Sequence, residues 1–394
     1  MSLAGTEAAQ ARHKASSTPG FYNLKVGPTA WSFSSGLILE YNDNTTYREN
    51  NAESDFVFTP RIAAHALWPL SDKNSLNFDV GLGYQFYSDH SELNRVLVDP
   101  GSELSFDLYA GDFWINFHDR FSLLDASQDP TVANLNSSGN YSFLQNAAGL
   151  TATWDLNKVL VRSGYDHQNN IPLRGLGAES SSDLLFGSVS YAVRRLTQVG
   201  IETSGGFSHF SGVPSSSTNH LSTVTDATHR SIGPFYETQV SEYVHLRAGI
   251  GYVAYQSEAN GTNQPDFDGY YAQLGMQHRV NEFINYSLTA GRNVTFGFSG
   301  GAIDLYSASL QANWNIVRAT TLSTTFLYEH GTQLSAGSEQ AETFTRYGAN
   351  LALGRTLTRN LSAMLHYQFY RRESDLPNRG YTANIVGVSF AYKF

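Results

Sequence analysis

A chain of 394 residues with 15% charged residues, 23 Tyr and 24 Phe, yet a mean hydropathy of −0.31, is too polar on average for a helical membrane protein. A net charge of −10 argues against a nucleic-acid partner, and the absence of cysteine excludes disulfides and thiolate metal sites. No run approaches the roughly eighteen apolar residues of a transmembrane helix, but a transmembrane barrel needs none, because only alternate residues meet lipid.

In chain order, Met1 to Gly20 is polar and rich in small residues and has no apolar h-region, so it does not read as a signal peptide. The expectation is a mobile tail over residues 1–29, with the native leader removed, followed by one domain over 30–394. From Ala30 onward period-2 apolar alternation recurs to the end and gives eighteen candidate strands. Trp31, Phe33, Leu37, Leu39 and Tyr41 mark the first, and the row from Phe56 through Phe58, Pro60, Ile62, Ala64 and Ala66 to Trp68 marks the second. Leu76 to Phe86 continues the pattern, and a shorter strand with Leu104, Phe106 and Leu108 turns at Ala110-Gly111-Asp112 into Phe113, Ile115 and Phe117. Val244 to Tyr252, Tyr270 to Met276 and Tyr306 to Ile316 are equally regular. The last strand carries Val386, Val388, Phe390, Tyr392 and Phe394 on one face and small or polar residues on the other.

Short connections alternate with long ones. Eight tight turns, such as Leu156 to Lys158 and Arg194 to Leu196, separate longer polar segments such as 43–53, 89–101, 127–140, 169–181, 211–228 and 257–266. That alternation, with an even strand count, predicts an all-β fold. It is a single up-and-down antiparallel transmembrane β-barrel with short periplasmic turns, longer extracellular loops and both termini at the short-turn end. A propeller would place four short strands in the length that here holds two long ones.

If the apolar row faces lipid, the other row lines the lumen. It holds Glu40, Arg61, His65, Asp79, Asp107, His118, Arg120, Arg162, Asp166, Glu202, Glu237, His245, Arg247, Arg279, Glu329, Arg346, His366 and Arg372, interspersed with Tyr87, Tyr109, Tyr255, Tyr271 and Tyr370. Two roles are open to these charges. They pair across strands and stiffen the wall, or they form a polar conduit whose guanidinium forks and carboxylates bind passing hydroxyls while tyrosine rings stack on sugars. Trp31, Tyr41, Trp68, Tyr84, Trp154, Tyr191, Tyr252, Tyr328, Tyr347 and Tyr392, near strand ends, suit interfacial girdles.

No zinc-protease motif, nucleophile elbow or P-loop is present, and the twelve histidines are scattered, so neither a catalytic residue nor a metal or cofactor site is expected.

The terminal Val386-Gly387-Val388-Ser389-Phe390-Ala391-Tyr392-Lys393-Phe394, the preceding strand Leu361 to Arg372 with its Thr358-Arg359-Asn360 turn, and the pattern over Ala30 to Phe394 resemble bacterial outer-membrane barrels. Within these the chain looks most like the β-barrel porin 2 family, associated with exopolysaccharide export. The resemblance implies a Gram-negative outer-membrane location and contact with outer-membrane lipid and lipopolysaccharide. It also implies that the barrel-assembly machinery reads the terminal pattern, and that a periplasmic polysaccharide-export protein is a partner. The first expectation is therefore a non-enzymatic pore for exopolysaccharide or capsule export. The alternatives are a general diffusion porin for small hydrophilic solutes and a non-transporting barrel that anchors or assembles surface structures.

Overall fold

Side chains alternate across an extended strand, and here the alternation separates two environments along nearly every strand. On the last one Val386 is 47% exposed while its neighbour Ile385 is 1% exposed. The computed structural model describes residues 22–71, 73–125, 142–174, 179–211, 224–259, 262–263, 266–296, 302–333 and 341–394.

The strands are β1 (Leu24–Val26), β2 (Thr29–Asn42), β3 (Asp55–Pro69), β4 (Ser75–Tyr87), β5 (Arg95–Val98), β6 (Glu103–Ala110) and β7 (Phe113–Asp125). They continue with β8 (Ser142–Leu156), β9 (Val159–Arg174), β10 (Glu179–Arg194), β11 (Thr197–Ser211), β12 (Val224–Gln239), β13 (Val244–Ala259) and β14 (Thr262–Asn263). The circuit ends with β15 (Phe267–Arg279), β16 (Ile284–Phe296), β17 (Ala302–Val317), β18 (Thr320–Gln333), β19 (Glu342–Thr356), β20 (Leu361–Ser374) and β21 (Tyr381–Lys393). Each long strand pairs antiparallel with its chain neighbours, and β21 pairs back onto β2 with Leu37 opposite Phe390 and Tyr41 opposite Val386. Closure leaves no bare edge, so every strand of the wall has backbone partners on both sides. Eighteen strands make the circuit, because β5 and β6 together occupy one place, pairing with the upper and lower parts of β4, while β1 and β14 are short additions.

The wall has the architecture expected from the sequence, with three local differences. Residues 22–29 lie in the stretch read as tail, but Leu24–Val26 pairs with Thr29–Trp31 and extends the sheet. Arg95–Val98, read as part of a loop, is drawn into the wall as β5, and Ser102 supports the break by accepting a bond from the Gly81 N–H at 3.1 Å. The 169–181 stretch is also largely strand, since β9 and β10 pair out to Asn170 and Ser180. Leu24–Val26 and Arg95–Val98 are only three and four residues long, and 169–181 mixes polar residues with Ile171, Pro172 and Leu173 without a regular alternation. The backbone ladder holds them, and it leaves no hydrophobic period to read. The loops expected at 127–140, and most of 211–228, lie outside the described residues.

The outward rows are apolar and end in rings. At the short-turn end Phe113 stacks on Trp154 at 5.0 Å and Tyr392 meets Phe394 edge-on at 5.3 Å. At the long-loop end Tyr41 tilts against Phe56 at 5.1 Å and Tyr328 against Tyr347 at 5.6 Å. Val386, Phe390, Tyr392 and Phe394 are all exposed on this outward surface.

Candidate functional site: the polar lumen

The inward row is built from paired polar and charged side chains, and several of the pairs reach across an intervening strand. Glu40 on β2 and His366 on β20 meet at 2.9 Å over β21. The residue between them is Gly387, the register partner of both, and a Cβ there would stand 2.5 Å from the His366 ring and 2.7 Å from Glu40 Cγ. His118 on β7 and Asp166 on β9 meet at 2.9 Å over Gly149 of β8 in the same way. An inward glycine is a saddle that lets the side chains of strands on either side touch.

The largest such group spans β11 to β15. Arg247 donates to Glu237 at 3.0 Å and to Glu202 at 2.6 Å, while its guanidinium lies 4.4 Å from the Phe235 ring centroid. His245 contacts the other Glu237 oxygen at 3.0 Å, and Glu202 accepts from Gln273 at 2.6 Å and from the Tyr271 hydroxyl at 3.3 Å. Elsewhere His65 pairs with Asp79 at 2.5 Å, Arg120 with Glu103 at 2.9 Å, Arg61 with Asp99 at 3.2 Å, and Arg346 with Glu329. Asp107 is buried and accepts from Trp114 Nε1, Asn116 and Asn77. Arg372 donates to Glu342 at 2.7 Å. Arg162 stands in register between Thr153 and Ser188, and Arg279 lies 5.5 Å from the Tyr243 ring centroid at the short-turn end.

Ion pairs and histidine–carboxylate hydrogen bonds together therefore occupy most of the side chains that the sequence assigned to the lumen. The tyrosines differ from the expected open platforms for sugar rings. Tyr87, Tyr255, Tyr271 and Tyr370 are all buried, Tyr87 beneath Val57 and Leu93 and Tyr370 against Tyr47 and Tyr381. Tyr87 and Tyr370 are covered where loops fold down onto the long-loop end of the wall, Tyr255 and Tyr271 pack with Phe210, Val253 and Val294 of the wall itself, and Tyr109 packs on Trp114 at the short-turn end.

Two of those loops narrow the mouth. In the loop after β2, Tyr47 holds a left-handed φ of +50° and buries its ring against Tyr381 at 5.4 Å, in an edge-on contact. Asn44 fixes the loop by donating to the Arg48 and Thr382 carbonyls. In the loop after β4, Asp55 accepts the backbone N–H groups of Ser88, Asp89 and His90 and the His90 ring at 3.0 Å. His90 also approaches Glu53 at 3.4 Å, which ties the two loops together.

The bond to Asp55 raises the His90 pKa above the ordinary histidine range, against the opposing effect of burial. A raised folded pKa stabilises the loop fully below the unfolded value and progressively less as pH rises through the folded one. The protection factors of amides 88–94, that is, their exchange rates corrected for the base-catalysed intrinsic rate, should therefore be lower at pH 9 than at pH 6, whereas those of amides in the middle of the strands should not change in step. The His90→Gln variant should lose most of that pH dependence. Equal protection factors in the wild type at both pH values would contradict it.

Sequence reasoning missed Asp55, Asp99, Glu103, Glu342 and Arg379. Asp99 lies in the 89–101 segment read as loop, and Asp55 and Glu342 open their strands, where no alternation precedes them. Glu342 shares the inward parity of Phe344 and Arg346, which was the available signal. Among the described residues no group of three His, Asp or Glu is placed to hold a metal.

No family model matches the chain, and no curated protein does. The export-associated family named from the sequence thus finds no support. Solved structures do share the architecture. A BenF-like porin from Pseudomonas fluorescens Pf-5 aligns over 94% of this chain and 100% of its own, at 12% identity and a TM-score of 0.52. This chain has the porin fold. OccK2 (OpdF) of Pseudomonas aeruginosa, solved in complex with glucuronate, aligns over 92% of this chain and 98% of its own at 13% identity, TM-score 0.51. OccK5 (OpdH) of the same organism covers 94% and 99% at 9% identity, TM-score 0.50.

Proposed function

We propose that this protein is an outer-membrane pore through which small hydrophilic solutes diffuse. The observation that carries the reading is the closed eighteen-strand wall with an apolar outer surface and an inner surface of charge pairs, narrowed by loops that fold inward. A wall of this kind needs a nonpolar solvent outside and water within. The porin fold of the structural neighbours supports the same reading, and the short-turn end then faces the periplasm.

Small solutes fit better than a polymer. Charges already paired within the wall offer weak, exchangeable contacts to a passing solute, and a mouth carrying Tyr47 and Leu93 inside it is not a smooth tube for a chain of sugars. Export of exopolysaccharide has no observation in its favour.

Liposome swelling tests this. Proteoliposomes should swell in isotonic monosaccharide or amino-acid solutions and remain inert to polysaccharides of several kilodaltons. Passage of the polymer, or silence towards every small solute, would overturn the proposal.

A further inference from the structure

Resting on the pore reading above, we infer that one inward row of the wall forms a track that prefers uncharged polyhydroxylated solutes to charged ones of the same size. Sugars and polyols belong to the favoured class, and their acidic and amino derivatives do not.

The row is Gln277, Ser287, Gln311, Thr325, Asn350 and Gln368, each the register partner of the next across β15 to β20. All six share the inward parity of Glu329 and Arg346, and none carries a charge. Their outward neighbours Leu310, Leu351 and Tyr367 keep the apolar period, so the amides and hydroxyls fall on the water side alone. Barrel strands tilt by about 40° to the axis, so a row at right angles to them climbs the wall instead of circling it. Gln277 stands two residues from the short-turn end of β15, whereas Gln368 stands seven from that end of β20. Beyond Gln368 the row meets Ile385, which packs with Tyr47 of the mouth loop. The row therefore descends from the edge of the narrowed mouth almost to the short turns.

The polar groups of this row are unused, unlike those beside it. In the next row toward the short turns Ser323 donates to Asn313 at 2.8 Å and Asn313 to Asn285 at 3.4 Å. The charged ends of that row are engaged as well, His366 with Glu40 and Arg279 over the Tyr243 ring. In the next row toward the mouth the Thr289 and Ser309 hydroxyls share a bond at 3.0 Å, and one step further Glu329 and Arg346 are paired and buried. None of the six side chains bonds to another among the described residues, and Asn350 Oδ1 is buried without a partner. A primary amide offers two donors and an acceptor, and a hydroxyl offers both roles, so the row can receive solute hydroxyls in either sense. Its side chains recur at the strand spacing of about 4.8 Å, so a solute leaving one step is within reach of the next. A carboxylate or an ammonium gains less, because it gives up water and meets no opposite charge in the row. Across the lumen Arg247, Glu202 and Glu237 hold one another and do not make up the loss.

The test is the block of single-channel current in planar bilayers by glucose, glucuronate and glucosamine, three probes of similar size and different charge. Wild type should bind glucose most tightly. Gln311→Met and Asn350→Leu keep the bulk and lose the hydrogen bonds, so each should weaken glucose block by about threefold to tenfold. Asn350→Gln should keep most of it, and Gln311→Glu should put glucosamine first. Ser188→Ala, which removes an inward hydroxyl between Arg162 and Glu202 on the other side of the lumen, should leave glucose block as in wild type. Heat-modifiable gel mobility checks that each variant is folded. Equal glucose block in wild type, Gln311→Met and Asn350→Leu would overturn the track and leave the pore standing. So would tighter binding of glucuronate or glucosamine than of glucose by the wild type. A wild type that conducts no ions would overturn the pore and the track together.

Discussion

Replacing Glu342 by alanine should destabilise the barrel by about 3–5 kcal/mol, because it leaves a buried cation without its counter-charge. The Glu342 carboxylate is fully buried and accepts from Arg372 at 2.7 Å, Arg379 at 2.7 Å and the Ser374 hydroxyl at 2.6 Å. Arg379 is one-third exposed and can turn to water, but Arg372 is 2% exposed at its side chain and rests over Phe344 at 4.7 Å. It has nowhere to go. Glu342→Gln keeps the shape and the Ser374 bond while losing the charge, so its cost should be smaller.

Pairing Glu342→Met with Arg372→Met should recover most of the loss, since two apolar side chains replace a buried ion pair at little net cost. Urea unfolding in lipid vesicles measures all four proteins. An alanine variant within about 1 kcal/mol of wild type would show that the pair is not the anchor described. Because Arg379 also ties down the segment before β21, the alanine variant should conduct more current than wild type.

The second large effect concerns a residue with no side chain. Gly387→Val should break the Glu40–His366 bridge and cost about 1–3 kcal/mol, because the new methyl groups would occupy the space where the two side chains meet. Gly101→Ala is the matched control. No heavy atom lies within 4 Å of its added Cβ, and its φ is not in the left-handed region, so stability should change by less than about 0.5 kcal/mol. If both variants unfold at the same urea concentration, the saddle role of Gly387 is wrong.

The contrast between these residues shows what a linear sequence can carry. Alternation is a local property, and it placed the rows from Trp31 to Phe394 on their faces, counted the strands and separated short turns from long loops. It also put Glu202, Arg247 and His366 on the same face as one another. It could not say that Glu40 meets His366, 326 residues away, because that contact depends on closure and on a glycine in a third strand. Nor could it show that Tyr87 and Tyr370 are covered. Their burial comes from loops whose fold is set by single side chains, Asp55 for one and Asn44 for the other, with no periodicity to betray them.

The separation of an aqueous inside from a nonpolar outside can be tested one residue at a time, because the chain contains no cysteine. Single cysteines at Ser188 and Asn350, on the inner row, and at Val189 and Leu351, on the outer row, would be treated with a charged, membrane-impermeant thiol reagent in planar bilayers. The account predicts that the reagent reduces single-channel current at Ser188→Cys and Asn350→Cys and leaves Val189→Cys and Leu351→Cys unlabelled. Labelling of the outer pair, with no change of current at the inner pair, would contradict it.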